Sequence, residues 1–422
     1  MSIEFQFFNR EKYIDECCWN RLIDTHATIA KEVFLKEPFS TIKHTEMLGW
    51  MNFDLFASDD QLEEIETFAK TVRKNYEVVV ISGIGGSTQA TQAVLNSLTY
   101  DGIEVLYIGN SLSTTLMKNT LRKLVDKKVY FINIAKNFET LEPGIGFRLM
   151  TDYLKRTTQD YAKHVSVIGT IDSTLHHLAI NEGFKFWPFY DQIGGRFSGL
   201  SAVTLVPLAI CGISIRDYIQ GAKDLQHTYT LLDVKKNNSY HYALARYELM
   251  NLGKNIEILA HFEPCLLHTA KWCVQLFAES EGKDGKGLFP TRANYSEDLH
   301  AIGQYVQEGK RLILETFLKV ESIDGQMRIP TTYINDFFNY IEDKSLNEIN
   351  EIARQATILA HDDANVPCLQ ISMSELSAFE YGQLFYFFMT ACFISAELLE
   401  VNPFDQNGVE AYKQYMFGNL RK

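Results

Sequence analysis

Between residues 77 and 212, short apolar runs alternate with longer stretches of mixed polarity. The runs are Val78–Ser82, Glu104–Ile108, 129–135 and Val165–Gly169. Each is brief, rich in β-branched residues and nearly free of polar alternation, as parallel strands covered on both faces should be. The stretches between them have helical length. This alternation predicts an α/β class, with a mostly parallel sheet flanked by helices.

A second, less regular series follows. Residues 255–261, 311–318 and 368–372 read as strands. Helical patterns run through 264–281, 296–307 and 345–360, and 375–400 reads as a helix apolar enough to be buried. Residues 213–238 carry a helical pattern that ends in the polar break Lys235-Lys236-Asn237-Asn238. A domain junction is expected there. It divides the chain into 1–225, an N-terminal region with a first α/β domain, and 226–422, a second domain with a C-terminal helical segment. A length of 422 residues suits two domains better than one core.

Composition narrows the class. Hydrophobic residues make up 46% and charged residues 22%, values of a soluble globular chain. The net charge of −13 argues against a nucleic-acid partner. A single phosphate group remains acceptable, because a local nest of backbone N–H groups and hydroxyls is enough to hold it. The start, Met1-Ser2-Ile3-Glu4-Phe5, lacks a basic segment followed by an apolar one, so no secretory signal is read. The longest apolar runs, 203–213 and 384–396, fall short of the roughly 20 residues of a membrane span. Seven scattered cysteines without a CxxC pair read as reduced thiols. The expectation is a cytoplasmic protein with no membrane partner.

Four stretches carry candidate chemistry. They are Gln275-Leu-Phe-Ala-Glu279-Ser280-Glu281-Gly282-Lys283, Gly194-Gly195-Arg196-Phe197-Ser198, His300 with Gln304, and Phe404-Asp405-Gln406-Asn407-Gly408-Val409-Glu410-Ala411-Tyr412-Lys413. In chain order they supply an arginine, a carboxylate, a histidine and a lysine. Together they resemble the phosphoglucose isomerase family, most closely its shorter bacterial form. The resemblance runs from about Leu48-Gly49-Trp50 to Lys413 and includes Gly83-Ile84-Gly85-Gly86-Ser87, Gly109-Asn110, Ala360-His361-Asp362 and Asn402-Pro403-Phe404. It implies two sugar-isomerase domains, each an α/β sandwich, with terminal segments packing across them. It also implies interconversion of glucose 6-phosphate and fructose 6-phosphate through a cis-enediol(ate), in glycolysis and gluconeogenesis, with neither cofactor nor metal. The family works as a homodimer with shared sites.

Aldose–ketose isomerisation needs a base, a stabiliser of the enediolate charge, a ring-opening group and an anchor for the phosphate. By resemblance Glu279 is the base that shuttles the proton, and Gln275, one turn earlier on the same helix face, helps bind phosphate. Glu281 faces elsewhere on such a helix and is given no such role. Arg196, after Gly194 and Gly195, would stabilise the developing oxyanion. His300 and Lys413 match ring-opening residues. In the family this histidine comes from the neighbouring subunit, and the resemblance implies that Glu142 orients it. Outside this setting the same residues would read as a surface glutamate, a structural arginine, an ordinary histidine and an exposed lysine.

Gly86 and Ser87 belong to the first expected phosphate element. The bare pattern is half of a dinucleotide fingerprint, but Thr88 stands where its last glycine would fall. The second element departs from the family. Where relatives read SKSGTT or SKTFTT, this chain has Ala135-Lys136-Asn137-Phe138-Glu139-Thr140. Lys136, Asn137 and Thr140 are the expected phosphate contacts. Losing the hydroxyl at Ala135 removes a bond to a charged acceptor, on the order of 1.5–3 kcal/mol. Glu139 adds repulsion unless it points away or pairs with Lys136. This loop leaves two alternatives open: isomerisation of another sugar phosphate, and binding of sugar phosphate without catalysis. His361-Asp362-Asp363 is expected to be a polar loop rather than a metal site.

Overall fold

The computed structural model describes residues 3–35, 41–100, 102–136, 138, 140–334 and 336–421. The chain forms two compact units. One comprises Ile42–His227 and Tyr381–Met389; the other comprises Met1–Thr41, Thr228–Glu380 and Thr390–Lys422.

The strands in chain order are β1 (Ile3–Phe7), β2 (Val78–Ser82), β3 (Glu104–Ile108), β4 (Val129–Ile134), β5 (Val165–Gly169), β6 (Lys185–Pro188), β7 (Ile256–His261), β8 (Phe289–Asn294), β9 (Ile313–Ser322) and β10 (Cys368–Glu375). The first unit holds a sheet in the order β3-β2-β4-β5-β6, parallel throughout. Its central strands β2, β4 and β5 are buried along their whole length, which is why they are continuous apolar runs. Val80, Phe131 and Val167 pack with Met150 and Leu154 of the helix Leu141–Thr157 into one core.

The second unit repeats the design in the order β1-β10-β9-β7-β8. β7, β8, β9 and β10 are parallel, and β1 closes the edge antiparallel to β10, with Phe5 opposite Ile371. This pairing is why residues 1–41, expected with the first region, group with the second unit. The expected division at 225/226 and the boundary at His227/Thr228 both fall within the helix Ile215–Leu231.

Three strands were not foreseen: β1, β6 and β8. All are sheet edges. β1 alternates buried and exposed positions, β6 carries Lys185 and Pro188, and β8 carries Pro290 and Arg292. Edges tolerate proline and charge, so these three lack the apolar run that marks a central strand, whereas the edge strand β3 keeps one.

One loop reading is corrected. His361, Asp362 and Asp363 form the last turn of the helix Leu346–Asp363, and His361 and Asp362 are buried. His361 Nδ1 lies 2.5 Å from Glu315 Oε2. Asp362 accepts from Asn9 Nδ2 at 2.7 Å and from Tyr13 Oη at 2.8 Å. These polar residues tie the start of the chain to the helix end.

No helix among the described residues is long and apolar enough to cross a membrane.

Candidate active site

In the first unit the chain runs from β2 to β3 on one side and then crosses to β4 on the other. The carboxyl ends of β2 and β4 are therefore the switch point at which open α/β sheets bind ligands. The loop after β2 turns through Gly85, whose φ of +56° suits glycine, into the single helical turn Gly85–Ser87. Gly86 is buried against the backbone of Gly195: a Cβ on it would stand 2.2 Å from the Gly195 carbonyl oxygen. Ser198 Oγ donates to the Gly195 carbonyl at 2.7 Å and lies 3.4 Å from that of Gly86. The Gly86-Ser87 element and the turn Gly195–Leu200 are thus locked together. Arg196 occupies that turn, only 3% exposed, and Ser87 is half-buried.

The loop after β4 is described in part. Asn137 and Glu139 lie outside the described residues. Lys136 donates to the carbonyls of Asp191 at 3.1 Å and Ile193 at 2.8 Å, and sits 5.6 Å from the centre of the Phe189 ring. Burial pulls its pKa below the usual lysine value. Two of its three N–H groups are thereby committed to carbonyls among the described residues. Thr140 precedes the helix Leu141–Thr157 at its N-cap, and Glu142, half-buried, lies in the first turn.

In the second unit Glu279 sits near the end of the helix Leu267–Glu281. Ala270, Cys273, Leu276 and Phe277 recur at three- and four-residue spacing and are buried, which fixes the helix face. On another face Gln275 Nε2 donates to Glu279 Oε1 at 3.2 Å. Glu279 lines a recess of about 510 Å³ with Gly282, Lys283, Asp405 and the segment Gln406-Asn407-Gly408-Val409. Lys283 Nζ pairs with Asp405 Oδ1 at 2.8 Å and fastens the C-terminal segment to this helix end. Neither His300 nor Lys413 lines the recess. His300 is exposed in the first turn of the helix Leu299–Glu308. Lys413, in the helix Glu410–Leu420, pairs with Glu410 Oε1 at 2.6 Å.

The structure adds residues that sequence reasoning passed over. The buried Arg246 meets Glu257 and Glu281, the latter two residues after Glu279. The available signal was a lone arginine between Tyr242 and Leu249 on the buried face of its helix. Lys283 and Asp405 were visible only as parts of longer motifs.

Comparison with known proteins gives the family. The phosphoglucose isomerase family model matches residues 61–417. The chain belongs to the phosphoglucose isomerase family. Among relatives, glucose-6-phosphate isomerase of Parabacteroides distasonis is 41% identical over 391 residues, covering 89% of this chain and 88% of that one. The enzyme of the same name from Alkaliphilus metalliredigens is 38% identical, covering 89% and 87%. Among solved structures, a hypothetical protein from Thermus thermophilus superimposes with a TM-score of 0.88 at 24% identity, over 99% of this chain and all of that one. A glucose-6-phosphate isomerase from Chlamydia trachomatis gives 0.81 at 16% identity, over 99% and 88%. At those identities the structural likeness speaks for the fold. Family membership rests on the match over most of the chain.

Proposed function

We infer that this phosphoglucose isomerase family member interconverts glucose 6-phosphate and fructose 6-phosphate. The observation that carries the reading is the 41% identity to a glucose-6-phosphate isomerase across nearly nine-tenths of both chains. The chain accordingly serves sugar-phosphate metabolism, and we read it as a cytoplasmic homodimer.

The roles assigned to the residues are those that the family resemblance implies. Glu279 removes the proton from one carbon of the open-chain sugar and returns it to its neighbour. Its bond from Gln275 orients the carboxylate for this transfer. Arg196, buried and always charged, stabilises the oxygen that becomes anionic in the enediolate. Backbone N–H groups and Ser87 in the Gly86 turn, with Lys136, Asn137, Thr140 and Gln275, hold the phosphate, and Gly195 leaves room beside the sugar. His300, contributed by a second copy and oriented by Glu142, opens the ring together with Lys413. The exposure of His300 supports this assignment, because a residue donated to a partner must stand at the surface of its own subunit.

A coupled assay on purified protein tests the reading, with fructose 6-phosphate as substrate and oxidation of glucose 6-phosphate as readout. Turnover on another ketose phosphate but not on this one would overturn it.

A further inference from the structure

Arg246 is 1% exposed and sits in the helix Asn238–Asn251. Its Nε donates to Glu257 Oε2 at 2.8 Å. Its two terminal nitrogens reach Glu281 Oε1 at 2.5 Å and Oε2 at 3.0 Å, a two-bond fork. Nη1 also reaches Ser395 Oγ at 3.2 Å. The guanidinium carbon lies 3.9 Å from the centre of the Phe277 ring. Glu257 Oε1 accepts from Tyr242 Oη and from Thr316 Oγ1, each at 2.7 Å. One cation therefore faces two fully buried carboxylates.

Such a cluster is a poor device for stability. Removing three charged groups from water costs more than their attraction readily returns, and an apolar trio of similar volume is commonly as stable or more so. What the cluster supplies is direction. A bidentate arginine–carboxylate pair fixes position and rotation together, which apolar packing does loosely. Glu281 is the last residue of the helix Leu267–Glu281, where intrahelical hydrogen bonds run out. The following loop closes onto the same residue: Gly287, at φ +86°, passes so near that a Cβ would stand 2.6 Å from the Glu281 carbonyl oxygen.

Glu279 stands two residues earlier, on the opposite side of the same turn, and lines the recess while Glu281 points into the core. A carboxylate at the end of such a side chain lies about 7 Å from the helix axis. Rotating the turn by about 10° would shift it by roughly 1 Å, a misplacement that can cost about 100-fold in rate.

We propose that Arg246 and Glu281 are positioning residues for Glu279: their buried fork sets the rotation of the terminal helical turn, and with it the aim of the reacting carboxylate. The proposal rests on the reading of Glu279 as the proton-transfer base. Neither residue touches substrate.

The test compares Glu281→Gln and Arg246→Lys with Glu279→Gln. Each is measured for kcat, KM and the pH profile of kcat/KM on fructose 6-phosphate, well below its own Tm. Glu281→Gln keeps the shape and loses the charged fork; Arg246→Lys keeps the charge and loses the planar geometry. The expected result for both is a kcat lower by about tenfold or more, a KM within about twofold, and a displaced acidic limb of the pH profile. A fully active, folded Glu281→Gln beside an inactive Glu279→Gln would overturn the positioning role alone. Failure of both cluster variants to fold would assign the cluster to stability and overturn it as well. Undiminished turnover by Glu279→Gln would remove the base assignment, and the proposal with it.

Discussion

The backbone of Gly86 rests against that of Gly195 so closely that a single methyl group would fall 2.2 Å from the Gly195 carbonyl oxygen and 2.8 Å from the Arg196 nitrogen. Both neighbours are backbone, so no side chain can rotate away. Gly86→Ala is expected to push the Arg196 turn outward. Overpacking of this kind costs about 1–3 kcal/mol of stability. A displacement near 1 Å at Arg196 would lower kcat/KM by about 100-fold. Thermal unfolding and steady-state kinetics on this one variant check both effects. Normal activity would mean that the Gly86 and Arg196 turns need not be locked together.

Glu279→Gln removes the proton acceptor while keeping side-chain volume. Turnover should fall by at least the roughly 10²–10⁴-fold typical of a lost general base. Binding of sugar phosphate, followed by calorimetry, should persist, because the Gly86 turn and Lys136 lie in the other unit and are untouched. Turnover near that of the parent protein would mean that another group carries the proton.

Much of the fold was legible because central parallel strands have no polar face. β2 and β5 begin and end where the apolar runs do, as does β3, an edge strand that keeps an apolar run, and β4 stops one residue short, at Ile134. The edges β1, β6 and β8 were not legible, since their alternation and prolines resemble loops until their neighbours are known. For the site, motif order led to Glu279, Gln275 and Arg196 but said nothing of what holds them. The Gly86–Gly195 contact joins residues more than a hundred positions apart. The fork between Arg246 and Glu281 likewise depends on tertiary packing. A histidine followed by two aspartates looked like a loop, because the partners that make its burial tolerable, Asn9, Tyr13 and Glu315, lie far away in sequence.

If His300 acts on the partner's substrate, two inactive proteins should repair one another. Mixed dimers of Glu279→Gln and His300→Ala would contain one site with both residues intact. Subunit exchange should restore activity toward half that of the parent per intact hybrid, read in the coupled assay after denaturation and refolding of the mixture. No recovery in dimers shown to be mixed would place His300 with the Glu279 of its own chain.

His261, at the end of β7, is fully buried, and its Nδ1–H donates to the Glu263 carbonyl at 2.9 Å. Burial is the main cause that pulls its pKa from 6.5 down to about 4. Between those values the unfolded chain binds a proton that the folded one refuses. The stabilising effect is therefore complete above pH 6.5 and is lost as pH falls toward 4. At pH 5 the loss amounts to about 2 kcal/mol. His261→Gln should show a shallower loss of Tm between pH 6.5 and 4.5 than the parent. Parallel curves for the two proteins would contradict the assignment.

The loop after β4 gives the last prediction. Its Ala135 is buried and offers no hydroxyl, and Glu139 places a carboxylate where the family carries threonine. Lys136 already donates to the carbonyls of Asp191 and Ile193, so its ammonium is partly committed before it can offset that charge. Ala135→Ser combined with Glu139→Thr restores a donor and removes a negative charge, both acting on a phosphate that does not itself react. Such remote contacts hold ground state and transition state alike, so the gain should appear in KM and leave kcat nearly unchanged. One recovered bond to a charged acceptor, worth about 1.5–3 kcal/mol, predicts a KM lower by roughly tenfold to a hundredfold. Kinetics of the double variant and both single variants divide the gain between donor and charge. An unchanged or higher KM with a lower Tm would show instead that Glu139 is held by the protein, and that the loop grips phosphate by contacts of its own.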